Sequence, residues 1–186
     1  MGEGKEKYLR GLDGAQTVID MVKDDQWEAQ SPCADWKAAD VVGHLISGTN
    51  MVSSLATTGE TGSFSAPREY LVGDDPKASF AAARTAMEAN LTPDNLSRVV
   101  KSPFGEMPLD QFLNVITLDA IAHTWDLSQA IGHEVTLPPD LVHDCFEGVK
   151  PLDAILRQPN LFGPKVEPPA GADEQTELMA FLGRTV

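Results

Sequence analysis

Apolar residues recur at steps of three and four along most of this chain. Between residues 5 and 25 they are Tyr8, Leu12, Ala15, Val18, Ile19 and Val22, the spacing of a helix with one buried stripe. A loop containing Pro32, Cys33 and Asp35 follows. A second stripe then runs from about Trp36 to Thr57 through Val41, His44, Leu45, Gly48, Met51, Val52 and Leu55. The Gly- and Ser-containing stretch 57–69 reads as a mobile loop. A third helix is predicted over 76–91, with Pro76 at its first position. Residues 91–105 hold Pro93, Pro103 and Gly105, with Arg98–Lys101 as a short extended piece. The clearest helix is Leu109–Ile131, bounded by Pro108 and Gly132. A fifth opens at Pro138-Pro139-Asp140 and reaches about Leu156. After an irregular Pro-rich run over 159–173, an amphipathic piece from Glu174 to Leu182 stops at Gly183. Nothing alternates with period two over a useful length and no repeat is present, so the expected class is all-α, without a substantial sheet.

A length of 186 residues suits one well-buried core and is short for two. The net charge of −14, from 28 acidic against 14 basic residues, repels phosphate backbones and anionic lipid. Nucleic acid and membrane are therefore excluded as expected partners, whereas a small substrate is not, since one local arginine can outweigh the global charge. No apolar signal region opens the chain and no run approaches the roughly 18 apolar residues of a membrane span, so a cytoplasmic protein is expected. Cys33 and Cys145 stand far apart, outside any CxxC, and read as two free thiols in a reducing compartment.

The fourth predicted helix places Phe112, Val115, Ile116, Asp119, Ala122, His123, Leu127 and Ala130 on one face. Asp119 and His123 are four apart and stack one turn above the other, both directed inward. A carboxylate in an apolar interior costs several kcal/mol unless compensated, and a cation would compensate it. His44 is the same anomaly on the second helix, between Val41 and Gly48. Facing helices of a bundle build metal sites in this manner, and two imidazoles with one carboxylate suit Zn²⁺, Ni²⁺ or Fe²⁺ with coordination positions left open. The spacing equally allows His44 as a hydrogen-bonded core histidine and Asp119–His123 as a plain ion pair. Asp126, three residues after His123, is either a partner orienting an imidazole or a structural residue at the helix end. His133 and His143 read as solvated, and Trp36 and Trp125 as packing residues, Trp125 the nearer to the site.

Several motifs in this sequence resemble the mycothiol-dependent maleylpyruvate isomerase-like branch of the DinB-like superfamily. They are Ser31-Pro32-Cys33-x-x-Trp36-x-x-x-Asp40-Val41-x-x-His44 and Asp119-x-x-x-His123-x-Trp125-Asp126-Leu127. Gly132-His133-Glu134-Val135-x-Leu137-Pro138, Leu161-Phe162-Gly163-Pro164 and Leu178-x-Ala180-Phe181-Leu182-Gly183-Arg184 continue the likeness to the end. The resemblance implies a DinB-like four-helix bundle over 1–132, with a C-terminal extension of additional short helices over 133–186 packed on it as one structural unit. It implies a divalent metal on His44, Asp119 and His123. The isomerase pattern usually has Glu where this chain has Asp119, and the fuller isomerases carry a C-terminal domain larger than residues 133–186 can supply. The resemblance therefore does not assign maleylpyruvate as the substrate.

What it implies is a metal- and thiol-dependent enzyme. Zinc is the first expectation, with nickel or iron as alternatives, and a low-molecular-weight thiol of the mycothiol type and a small molecule are the partners. A bound cation stabilises thiolate over thiol. Added to an activated double bond, the thiolate gives an isomerase; displacing a leaving group, it gives an S-transferase. A metal-dependent hydrolase would use the same ligands, and a non-catalytic module binding a small molecule or partner is the alternative outside enzymes. Cys33, leading into the helix of His44, could close the metal site, although a buried or capping thiol is the expected role. A bundle of this size is compatible with a homodimer.

Overall fold

The computed structural model describes residues 2–33, 35–61, 71–102, 105–157 and 162–186. Helices α1 (Glu3–Met21), α2 (Ala38–Thr58), α3 (Pro76–Asn90) and α5 (Leu109–Ala130) form a four-helix bundle. Its neighbours close a ring: α1 packs on α5, α5 on α2, α2 on α3, and α3 on α1. Between α3 and α5 lie a five-residue helix, α4 (Pro93–Ser97), and an antiparallel hairpin of β1 (Val99–Ser102) and β2 (Gly105–Pro108). Beyond the bundle come α6 (Pro139–Val149), α7 (Asp153–Leu156) and α8 (Glu174–Phe181). Among the described residues the regular structure is thus helical apart from one small hairpin.

Local sequence accounts for most of the boundaries. Asp75 caps α3 by accepting from the Ala78 N–H at 3.0 Å, with Pro76 next to it. Asp173 caps α8 in the same way through Thr176. Helix α2 ends at Gly59, whose φ of +80° a side chain would strain. Three boundaries differ from the pattern reading. Helix α1 stops at Met21, although Val22 beyond it is still buried, so the apolar period outlasts the helix by one residue. The helix expected to reach Leu156 breaks after Val149 into a 3₁₀ turn at Lys150–Leu152, because Pro151 has no N–H to donate. The extended piece at 98–101 acquires a second strand and becomes the hairpin, which feeds directly into α5 as the Leu109 N–H donates to the Arg98 carbonyl at 2.8 Å. In the loop expected to be mobile, residues 62–70 lie outside the described residues. So do Gln158 and residues 159–161 of the Pro-rich run, Leu161 included; from 162 to 172 that run has neither helix nor strand.

Two apolar clusters meet along α5. One fills the bundle, with Tyr8, Leu12, Ile19, Val52, Phe80, Met87, Phe112 and Leu113 among its members. The other lies on a different side of α5, where Leu118, Ile121 and Trp125 pack against Leu141, Phe146, Leu178 and Met179 of the C-terminal segment. Helix α5 is consequently buried all round from Ala120 to Ser128. The single face expected of it understated its burial, because a second layer covers the side the stripe leaves free. Arg10 on Asp140 and Lys7 on Asp144 add ion pairs between α1 and α6.

Helix α1 approaches α5 closely because the meeting positions are small. The Asp110 carboxylate accepts from the N–H groups of Gly4 and Lys5 at 3.3 and 2.9 Å, capping a helix more than a hundred residues away in the chain. A Cβ on Gly4 would lie 1.8 Å from the Asp110 carbonyl oxygen, whereas one on Gly14 would meet only a methyl of Thr124 at 3.8 Å. Gly4→Ala is therefore expected to destabilise by about 1–3 kcal/mol through forced separation of the helices. Gly14→Ala should be neutral or stabilising by up to about 1 kcal/mol through helix propensity. Urea denaturation of the two variants checks this, and equal effects would refute the close approach.

Candidate metal centre

The second turn of α2 carries His44, and the middle of α5 carries Asp119 and His123. The α2–α5 contact turns these residues toward one another. His44 Nε2 lies 3.1 and 3.2 Å from the two oxygens of Asp119, and His123 Nε2 lies 3.4 Å from Asp119 Oδ1. The shorter aspartate arm still reaches both imidazoles. The rings are 4.5 Å apart between centroids. Trp36 packs on both, stacked on His123 at 5.4 Å and tilted on His44 at 5.0 Å. His123 keeps 7% side-chain exposure against 29% for His44 and 31% for Asp119, so the cluster opens to solvent on the side of the latter two. Gly48, one turn beyond His44, leaves the space over Asp119 clear, since even an added Cβ would be 4.0 Å from Oδ2.

A second layer stands behind His123. Its Nδ1 is 3.0 Å from Asp126 Oδ2, and Asp126 is fully buried. Arg184 Nε and Nη2 donate to Asp126 Oδ1 and Oδ2 at 3.1 and 2.8 Å, and the Cys33 thiol donates to Oδ2 at 3.1 Å. Of the two roles open to Asp126, the geometry shows the hydrogen bond to the imidazole. Cys33 contacts this layer on the Nδ1 side of His123, 4.0 Å from that nitrogen. Cys33, His123 and Asp126 are close enough together to form a second donor set. A cation among them, however, would face the guanidinium that already occupies both Asp126 oxygens.

Both nitrogens of His123 therefore face carboxylates. A neutral imidazole donates from one nitrogen only, so one lone pair must point at an anionic oxygen unless a proton or a cation intervenes. In the protein alone the proton fills this place. Burial opposes charging His123, but the charge of Asp119 and hydrogen bonds to Asp119, Asp126 and Cys33 reverse that and hold its pKa well above the ordinary histidine value. Burial likewise opposes ionising Asp119, and the charges of His44 and His123 outweigh it, so its pKa falls well below the carboxylate range. Asp126 is also lowered: burial raises it, and hydrogen bonds from His123 and Arg184 overcome the burial. A divalent cation fits where the proton sits. The nitrogens of His44 and His123 and a carboxylate oxygen of Asp119 lie within 4.8 Å of one another, while Asp126 on Nδ1 leaves Nε2 of His123 as the inward donor.

Residues 11–128 match the Mycothiol maleylpyruvate isomerase N-terminal domain family. The chain belongs to that family. Two uncharacterized proteins of Mycobacterium tuberculosis, MT0763 and Rv0738, are each 30% identical over 192 residues, covering 96% of this chain and 96% of their own length. The fold is also that of a crystal structure of a mycothiol-dependent maleylpyruvate isomerase point mutant, with a TM-score of 0.55 at 16% identity over 83% of this chain and 70% of that one. Membership of the maleylpyruvate isomerase family places the chain in the DinB-like branch its motifs resemble.

Other expectations come out unevenly in this member of the family. Trp125 is not the tryptophan at the site. It lies two residues, or roughly 200° of helix, from His123, and packs under the C-terminal segment. His133 is exposed; His143, also exposed, pairs with Glu174. Cys33 and Cys145 are both free thiols, and burial pushes Cys145 up to about 12. Arg184 was visible in the sequence only as the last residue of a motif; nothing in its spacing announced Asp126 as its partner. Among the described residues no helix is long and apolar enough to cross a membrane.

The titrations set a stability window for metal-free protein. Asp119 and Asp126, lowered on folding, contribute stability above their ordinary value of 3.8 that is lost as pH falls toward their folded values. His123, raised on folding, contributes fully below 6.5 and loses its share as pH climbs through its elevated value. Thermal denaturation of chelator-treated protein should therefore show the highest Tm between those two pH values, with a decline on the alkaline side that His123→Gln flattens. An undiminished Tm well above neutrality would contradict the charged His123.

Proposed function

We propose that this protein holds a divalent metal ion, zinc first and nickel or iron as alternatives, with His44, Asp119 and His123, and works as a thiol-dependent isomerase or S-transferase of the mycothiol type. The observation that carries the metal is the convergence of two Nε2 atoms on a carboxylate, with the far nitrogen of His123 already engaged by Asp126. Family membership and the printed activity of the structural neighbour support the thiol and the reaction class. A bound cation supplies the positive charge that stabilises a thiolate at neutral pH.

The chain's own residues prepare that chemistry. Asp126 holds a proton on Nδ1 of His123 and so leaves the Nε2 lone pair for a cation that takes the place of the Nε2 proton. Trp36 shields one flank of both imidazoles from water, and the opening beside His44, Asp119 and Gly48 remains for thiol and substrate. Three protein ligands without a fourth describe a site with open positions, which suits catalysis better than a closed structural site. Cys33 is spoken for by Asp126 and is not counted among the ligands. On this reading residues 1–132 are the metal-binding bundle, and 133–186 an extension packed on α5 within the same structural unit.

Two measurements test this. Elemental analysis of protein purified without a polyhistidine tag should find about one zinc, nickel or iron per wild-type chain, and little or none in His123→Ala. Wild type that takes up no metal on reconstitution would return the cluster to a hydrogen-bonded core and favour a non-catalytic binding module. Metal-loaded protein should then bind or consume a low-molecular-weight thiol in the presence of electrophilic substrates. Turnover of esters or amides without thiol would transfer the site to hydrolysis, and absence of any thiol binding would end the isomerase and transferase readings.

A further inference from the structure

Arg184 has no role in holding the metal, yet it is only 7% exposed and its guanidinium is held directly behind the site. Its Nε and Nη2 form a two-pronged fork on the Asp126 carboxylate, and its Nη1 donates to the Leu182 carbonyl at 3.0 Å. The Phe162 ring lies against the guanidinium, 5.3 Å from centroid to carbon. All three guanidinium nitrogens are thus engaged inside the protein, which leaves the group poorly placed to grip an anionic substrate. What such a fork does well is fix the plane of a carboxylate, since both oxygens are held at once. That plane decides how Asp126 Oδ2 meets the Nδ1–H of His123 at 3.0 Å.

The backbone is built to aim this side chain. Helix α8 ends with the Gly183 N–H donating to Ala180 and the Arg184 N–H to Met179, a reversal that needs Gly183 at a φ of +86°. A Cβ on Gly183 would also come within 2.8 Å of the Pro164 carbonyl oxygen. Conformation and space both demand glycine immediately before the arginine, and the reversal sends Arg184 back toward α5, where Asp126 waits in a fully buried position.

We propose that Arg184 is a positioning residue of the metal centre: by fixing the Asp126 carboxylate it sets the ring plane and tautomer of His123, so that the C-terminal segment helps to determine metal affinity. The inference rests on the metal reading and extends it to a residue that touches neither metal nor substrate. Without the fork, Asp126 loses two of the hydrogen bonds that orient it, and Nε2 of His123 is offered to the metal less often. Outer partners of this kind typically change metal affinity by about 10–100-fold when removed.

The test is zinc affinity by chelator competition for wild type, His123→Ala, Arg184→Gln and Arg184→Lys, with nitrogen-15 spectra of the histidine rings in zinc-loaded wild type. Arg184→Gln should keep the wild-type stoichiometry and bind about 10–100-fold more weakly. Arg184→Lys should fall between, because an ammonium reaches one carboxylate oxygen where the fork reaches two. The wild-type spectrum should show His123 protonated at Nδ1 and metal-bound at Nε2. An ion pair that merely stabilises the fold would lower the Tm of Arg184→Gln and leave zinc affinity unchanged, and that result overturns the proposal. So does metal bound through Nδ1, which the wild-type spectrum reveals even if Arg184→Gln does not fold. Zinc bound by wild type, lost in His123→Ala and unaffected in Arg184→Gln would remove the positioning role alone. No zinc on wild type would remove the metal centre and the positioning role together.

Discussion

Protein surrounds α5 on every side from Ala120 to Ser128, and this confinement governs the rest of the structure. A helix in that position cannot send a polar side chain to water, so each one must find a partner inside. Thr117 and Thr124 donate to carbonyls one turn back, and Ser128 to that of Trp125. Asp126 takes an arginine, an imidazole and a thiol. Asp119 and His123 satisfy each other only with help from His44 and an intervening positive charge. Among the described residues no buried side-chain nitrogen or oxygen is left without a hydrogen bond. The two apolar clusters enforce these pairings, because they exclude the water that would otherwise compete.

On the proposed metal reading, the same confinement makes proton and cation rivals for one place. The features that raise His123 toward the imidazolium, an inward carboxylate at one nitrogen and another carboxylate behind, are those that make its Nε2 a strong ligand once the proton leaves. Exposure is graded across the cluster: deep at His123, shallower at His44 and Asp119. The His123 end is therefore enclosed by protein while the His44 and Asp119 end faces solvent.

The central trio was legible because each member broke an apolar stripe, and a polar residue on a buried face is the loudest anomaly a helical sequence contains. Its likeness to a family pattern then joined two helices that periodicity alone could not pair. The four long helices were legible for the same reason. What escaped was nonperiodic. The strand at 105–108 is too short to alternate visibly, although its partner at 99–102 was largely read as the extended piece 98–101, and Pro93–Ser97 is a single turn. The second buried side of α5 escaped because Leu118, Ile121 and Trp125 face partners from a segment that comes later in the chain. Arg184 escaped because its meaning lies in Asp126, 58 residues away, and in a glycine whose φ no composition reveals.

The cap on α1 bears on how the chain comes together in time. The carboxylate that completes the first turn of that helix belongs to Asp110, 106 residues beyond Gly4, and the main packing partner of the helix is the element Asp110 opens. Closing a loop of that length costs about 4 kcal/mol of chain entropy before the contact returns anything. Helix α1 is made before α5, so its stripe of Tyr8, Leu12, Val18 and Ile19 lacks its main packing partner until α5 exists. For a helical protein this is a nonlocal topology, and its folding speed belongs with mixed folds more than with simple up-and-down bundles.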